Sequence, residues 1–477
     1  MPQTSRIPAR RVRSFLTSNT VAMTVLALAG TCLLAAGVSY VKDAHPMSIL
    51  DEHVHLDYAA NVREGTIPHA GGVYTLTVRE EWSCGVGHMV GGYASDCAGN
   101  LPPVEELPSG QYSSAYIHYP TYFVAANVFA GIAKSVFHVD SYLTGLRLFS
   151  VLCLALGMAA ALAFALALGL RGWGAAASAL IPVGAIAVLH HNFYVSPNAT
   201  QTLTGVLVAG TALLWIRRNK GFTWVALATA LAASIAVVDC LAVAAVALAA
   251  TWQWGRNRWS TTRRATWRPA LWQPVLLGVL VLAPIVAWNQ VIVTRQTVPN
   301  DVIYARVSAN APLPERALNL ASELTGLHSP WPYGWPLALD TWLTVAVIGL
   351  VLFKALGILK EKVWPLAKVD GADPLPGLDT RLAPAPRPRT GADVLRVVCV
   401  SAIAILVLYP PIQWISIYTS FGSTLPIVPR YSIGLAPLFT FAALLAVPRE
   451  RARVALGGLG TAAVLILAAL TMTGPLL

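Results

Sequence analysis

Charged side chains are scarce in this sequence. They make up 12% of 477 residues, while 56% are hydrophobic and the mean hydropathy is +0.60. No soluble fold can hide that much apolar surface, so the soluble classes are excluded. Also lacking are an internal repeat, a glycine-rich phosphate loop and a Cys/His pattern with zinc spacing. Acids are the scarcer charge, 22 against 33 Lys and Arg, giving a net charge of +11. That excess suggests nucleic acid until the charges are placed along the chain, where they divide by side of a membrane.

Long apolar runs are abundant. They imply an all-α polytopic membrane protein of about eleven transmembrane helices. Residues 1–18, with Arg6, Arg10, Arg11 and Arg13 and no acid, form a basic cytoplasmic tail before an uncleaved first span at 19–41. An external loop at 42–142 follows. Within it, 119–137 is apolar but carries Pro120, Asn127 and Lys134, and is expected to lie along the membrane surface. Spans 2–7 occupy 143–293, at roughly 143–169, 174–191, 199–216, 222–254 and 272–293. The 222–254 run is read as two short helices meeting at Asp239, because a single helix would leave Arg256, Arg258, Arg263, Arg264 and Arg268 outside. An external loop at 294–338, span 8 at 339–359, a proline-rich cytoplasmic linker at 360–395 and spans 9–11 in 396–477 complete the layout. It puts 24 of the 33 bases in the cytoplasm and 16 of the 22 acids outside, an asymmetry that accounts for the charge without nucleic acid.

The external segments hold the candidate chemistry. Just after the first span come Asp51, Glu52, His53, His55 and Asp57, titratable groups crowded where a helix leaves lipid. They read either as the solvated start of a loop or as a site. On a helix, Asp51, His55 and Tyr58 share a face, with Glu52 about 100° away, so that one carboxylate could enter the bundle while its neighbour faces the loop. Cys84 and Cys97 lie in a glycine-rich polar loop, where a disulfide is favoured over free thiols or a metal pair completed by His88. Trp- and Pro-rich residues 326–336 suit a headgroup belt or a sugar face. Pro429-Arg430-Tyr431 opens span 10, where Arg430 either snorkels to headgroups or holds a lipid phosphate. Lesser candidates are His118, Arg147, His190, His191 and His328.

A first span followed by Asp51-Glu52, a large first external loop, a short-helix hairpin and a late Pro-Arg-Tyr together resemble the GT-C superfamily. These polytopic glycosyltransferases include the protein O-mannosyltransferases and the lipid A aminoarabinose transferases. The resemblance implies a polyprenyl-phosphate-linked sugar donor and a glycan, lipid or protein acceptor, within the bilayer of a bacterial plasma membrane. It implies transfer with inversion on the external side. It carries the base onto Asp51 or, beside it, Glu52, and the phosphate-holding cation onto Arg430, with Tyr431 next to it. His118-Tyr-Pro-Thr-Tyr122 departs from the family's His- or Lys-Pro-Pro motif. Asp57, Glu105, Glu106 and Asp239 compete for a second acid, and His55 joins the substrate-binding group. No cofactor is required; a divalent metal occurs in some relatives, and no ligand cluster here compels one. The rival readings are a lipid-linked glycan flippase or transporter, a glycan polymerase or ligase, and a membrane scaffold. Charges gathered at one mouth without a repeat favour an enzyme.

Overall fold

The structure is a computed structural model describing residues 9–42, 45–48, 51–87, 101, 103–107, 110–184, 191–259, 267–303, 334–358, 392–421, 433–447 and 449–473. Among these residues the secondary structure is helical, apart from an isolated antiparallel bridge between Val73 and Tyr112. Seven helices are long and apolar enough to cross a membrane, and shorter apolar helices lie at Phe222–Ile235, Ala346–Ala355 and Ile433–Ala446. This is a multi-pass, all-α membrane architecture.

We label the principal helices α1 (Ala9–Lys42), α2 (Glu52–Arg63), α3 (Leu76–Cys84), α4 (Pro120–Phe137), α5 (Tyr142–Ala167), α6 (Trp173–Leu180) and α7 (Gln201–Arg218). They continue as α8 (Phe222–Ile235), α9 (Leu241–Trp259), α10 (Trp272–Arg295), α11 (Gly334–Ala355), α12 (Ala392–Phe421), α13 (Ala436–Ala446) and α14 (Glu450–Thr473). α1, α5, α6 and α14 pack into one bundle, and α7 joins it to α8 and α13. α10 is peripheral, and its most apolar stretch is only 6% buried. The exposed Val275, Val279, Leu282 and Val286 on it are what a lipid-facing helix presents.

The hairpin expected in 222–254 is a break in helix. Ala236 is extended (φ −157°, ψ 147°), and a 3-10 turn, Val237–Cys240, carries Asp239 before α9 starts. α8 and α9 both pack on α10. The span expected at 174–191 differs: α6 stops at Leu180 and Ile181–Gly184 forms a turn, with 185–190 outside the described residues. Pro182 and Gly184 lie in that turn, and neither favours a continued helix.

The expected surface helix at 119–137 is α4. Tyr122, Phe123, Ala126, Ala130 and Ala133 face inward, while Val124, Val128, Ile132 and Val136 form an exposed apolar stripe. Such an outer face suits contact with lipid.

Where α7 meets the backbone of Gly434, glycine is required. A Cβ on Gly205 of α7 would sit 2.4 Å from the Gly434 carbonyl oxygen, a backbone atom that cannot swing aside. Gly131 on α4 has nothing within 4 Å of the same position. Gly205→Ala should therefore lower thermal stability in detergent by about 1–3 kcal/mol. Gly131→Ala should be neutral or stabilising by up to about 1 kcal/mol.

Candidate functional site

Asp51 and Glu52 are neighbours with opposite fates. Asp51 precedes α2 in left-handed backbone, φ 71° and ψ 13°. The other described non-glycine residues with positive φ, His138 and Asn219, end helices, where that conformation is ordinary. A residue preceding a helix is normally extended, with its side chain bonded to the first free N–H groups. Asp51 makes no such capping bond, and it is exposed. An ideal capping residue thus stands in uncommon backbone with its carboxylate left outside.

Glu52 is fully buried. Its Oε1 accepts from Arg147 Nε at 2.8 Å and the Val195 N–H at 2.9 Å. Its Oε2 accepts from Arg147 Nη2 at 2.8 Å and the Ser48 N–H at 2.9 Å. These four bonds fill the carboxylate's acceptor capacity. One side chain thereby ties together the segment after α1, α2, α5 and the turn before α7. Arg147, equally buried, lies 5.4 Å from the Tyr194 ring centroid. Its Nη1 is 3.1 Å from His45 Nε2, and His45 Nδ1 is 3.0 Å from the Pro46 carbonyl. This network assigns the proton to Nδ1 and leaves Nε2 to accept. Burial, and then the Arg147 charge, push the His45 pKa down to about 3. His45 also stacks on Tyr40 at 3.9 Å, and the Tyr40 and Tyr194 hydroxyls are 2.6 Å apart.

The rest of α2 is held as firmly. Every residue from Glu52 to Ala60 is buried. His55 Nδ1 lies 2.8 Å from the Val195 carbonyl, and the half-buried His118 meets the His55 ring at 4.9 Å. Asp57 accepts the Thr75 N–H at 2.8 Å, and burial raises its carboxyl above the usual range. Tyr58 stacks on Phe123 at 4.1 Å. His53 packs against Trp82 and Tyr74, and burial pushes its pKa down to about 4.

The turn from Val195 to Thr200 carries these contacts onward to the hairpin. Val195 meets Glu52 and His55, the Ser196 N–H donates to the Tyr122 hydroxyl at 3.1 Å, and Thr200 Oγ1 is 2.9 Å from Asp239 Oδ2. Asp51, Glu52, His55, Asp57, His118 and Asp239 therefore gather at one end of the bundle. Gly434, four positions after Arg430, approaches there too: its Cβ position is 3.5 Å from the Val238 carbonyl oxygen. Glu105 and Glu106 are exposed in a 3-10 turn, apart from this network. Cys84 is disulfide-bonded, and the four span cysteines are free. Cys97, Arg430, Tyr431, His88, His190, His328 and residues 326–333 lie outside the described residues. Among the described residues, no three His, Cys, Asp or Glu side chains form a metal-ligand group.

Sequence reasoning ranked Arg147 low, and missed His45, Ser48 and Val195 as partners of Glu52. A lone arginine in an apolar segment was the available signal. The backbone partners leave no mark in sequence.

No protein-family model and no curated protein matches the chain. Among solved structures, the cryo-EM structure of arabinosyltransferase EmbB from Mycobacterium smegmatis matches at 15% identity and a TM-score of 0.33. The alignment covers 99% of this chain and 42% of that neighbour's length. It carries no residue role across.

Three outcomes are expected. Arg147→Leu should cost about 3–5 kcal/mol in thermal unfolding, because it leaves Glu52 buried and unpaired. Asp51→Gly should raise stability by about 1 kcal/mol, since glycine adopts positive φ without strain. Burial holds the His45 and His53 pKa values below the ordinary 6.5, at about 3 and about 4. Their stabilising contribution is therefore complete above about pH 6.5 and is lost as pH falls toward the folded values. Melting temperature should drop across that window, and His53→Phe should shrink the drop. The raised Asp57 carboxyl acts in the opposite sense, relieving a cost as pH falls.

Proposed function

We propose that this chain is a membrane glycosyltransferase that moves a sugar from a polyprenyl-phosphate donor to an acceptor hydroxyl at the external face. The observation carrying this reading is the Asp51–Glu52 division of labour. Backbone held in an uncommon conformation clusters at functional sites, and here it presents an exposed carboxylate beside a rigid buried anchor. The resemblance of Asp51-Glu52 and Pro429-Arg430-Tyr431 to the GT-C layout supports the same assignment. So does the outward segregation of acids.

The chemistry needs few groups. The donor's phosphate is already a good leaving group, so the sugar–oxygen bond can break without strong acid catalysis. Asp51 takes the proton of the acceptor hydroxyl, whose oxygen attacks the anomeric carbon. The bond from that carbon to the phosphate oxygen breaks, and its electron pair leaves with the lipid phosphate. Arg430, presenting a guanidinium fork, holds that phosphate as charge develops on it. In-line attack inverts the anomeric centre. Glu52, with all its acceptor sites filled, positions Asp51 and moves no proton. No cofactor is needed, although a divalent cation on the phosphate is compatible with this scheme. The acceptor is a glycan, lipid or protein hydroxyl. The exposed stripe of α4 would lie against lipid beside the site, where the polyprenyl tail arrives.

The test is transfer from radiolabelled polyprenyl-phosphate sugars in purified membranes. Wild type should form a glycosidic product, Asp51→Asn should lose at least about 100-fold in rate, and Arg430→Ala should weaken donor use. Full transfer by Asp51→Asn would remove it as the base. Movement of labelled lipid between leaflets without product would support a flippase instead.

A further inference from the structure

The end of the bundle remote from Asp51 carries a different arrangement. α7 is 18 residues long, which puts Arg218 about 26 Å along the helix from Gln201. There Asn219 (φ 52°) and Gly221 (φ 89°) turn the chain into α8 through left-handed backbone. Asn219 Oδ1 accepts the Arg268 N–H at 3.1 Å. One neutral hydrogen bond thus brings together Arg218, Lys220 and Arg268, and all three are exposed. The segment bearing Arg268 is fixed from beneath. The Trp267 carbonyl accepts from Asn257 Nδ2 at 3.0 Å, and the Trp267 ring, fully buried, meets Trp215 edge-on at 4.9 Å. Trp215 packs on Phe222 at 5.1 Å, and Phe222 on Trp272 at 5.1 Å.

Like charges gathered by neutral contacts repel one another, and a bound anion offsets that repulsion. The elements that gather them bring no acid to this end: between Asp140 and Asp301 the sole acid in the sequence is Asp239, at the far ends of α8 and α9. What surrounds the three cations identifies the kind of anion. Trp224 and Trp272 are 66% and 58% exposed, amphipathic rings of the sort that sit at headgroup level. From each, an exposed apolar stripe runs away from the cations: Leu227 and Leu231 on α8, and Val275, Val279, Leu282 and Val286 on α10. α8 and α10 pack together, and the Phe222–Trp272 contact starts the two helices side by side. Fixed positive charge above apolar helix faces matches a molecule with an anionic head and hydrocarbon tails. A free anion would use the charge and leave the stripes without a role.

We propose that Arg218, Lys220 and Arg268 hold the phosphate of an anionic phospholipid whose acyl chains lie along α8 and α10. The guanidinium forks match phosphate oxygens, and the lysine adds a point charge. The lipid would fasten the α7–α8 turn to the start of α10. It binds at the end of the bundle away from Asp51 and is read through stability, so lipid binding and sugar transfer can fail separately.

The experiment is thermal unfolding of the purified, delipidated full chain in detergent, titrated with dioleoyl phosphatidylglycerol, dioleoyl phosphatidylcholine or tail-less glycerol 3-phosphate. Phosphatidylglycerol should raise the melting temperature saturably, and the other two should not. Removing one charge, in Arg218→Gln, Lys220→Gln or Arg268→Gln, should raise the half-stabilising phosphatidylglycerol concentration about fivefold. Arg63→Gln, an equal loss of charge from exposed α2, should leave it unchanged. Equal stabilisation by both lipids would overturn the proposal. So would the three variants responding like wild type, or Arg63→Gln weakening the response as much as they do. Stabilisation by glycerol 3-phosphate would make this a site for a free anion, and no effect of any additive would mean that acids elsewhere in the chain cover the cations; each result overturns the lipid site.

Discussion

The pairing of Glu52 with Arg147 is the constraint on which the candidate site depends. Both side chains have no solvent exposure, and each alone would be a costly buried charge. Together with the Ser48 and Val195 amides they satisfy the carboxylate completely, and they fasten segments 95 and 143 residues apart in the chain. A buried ion pair gains little net stability over an apolar pair of the same shape; what it fixes is register. Because α2 is locked at its first residue, the residue immediately before it has little freedom. That residue is Asp51.

Asp51 and Asp239 then express two consequences of one layout. The Val195–Thr200 turn links them, touching Glu52 and His55 at one end and Asp239 at the other. One carboxylate is exposed and held in unusual backbone, which suits a group that must meet a substrate. The other is sealed in, with the Thr200 and Thr204 hydroxyls at one of its oxygens. Exposure and burial are thereby divided among acids that composition alone cannot tell apart.

Much of the fold was legible in the sequence because apolar length and arginine placement are strong signals in a membrane. The five arginines after Trp254 led to the expectation of a hairpin within 222–254, and the helix does break around Asp239. The helix expected at 119–137 is present as α4, Pro120–Phe137, with Val124, Val128 and Val136 exposed along one side. The early end of α6 was readable from Pro182 and Gly184 but was outweighed by the apolar run around them. Within the site, the pattern located the acidic cluster and offered one carboxylate in and one out. It could not decide which, because the deciding partners are an arginine far along the chain and two backbone amides.

In this scheme Asp51 faces the reacting sugar while Glu52 stays locked to Arg147. A structure of the protein bound to a non-transferable polyprenyl-phosphonate sugar and its acceptor tests this directly. The acceptor oxygen should lie within roughly 3 Å of the Asp51 carboxylate, with the phosphonate gripped by Arg430 and the Glu52–Arg147 bonds intact. A sugar bound at the opposite end of the bundle, or a Glu52 that abandons Arg147 to reach the acceptor, would contradict it.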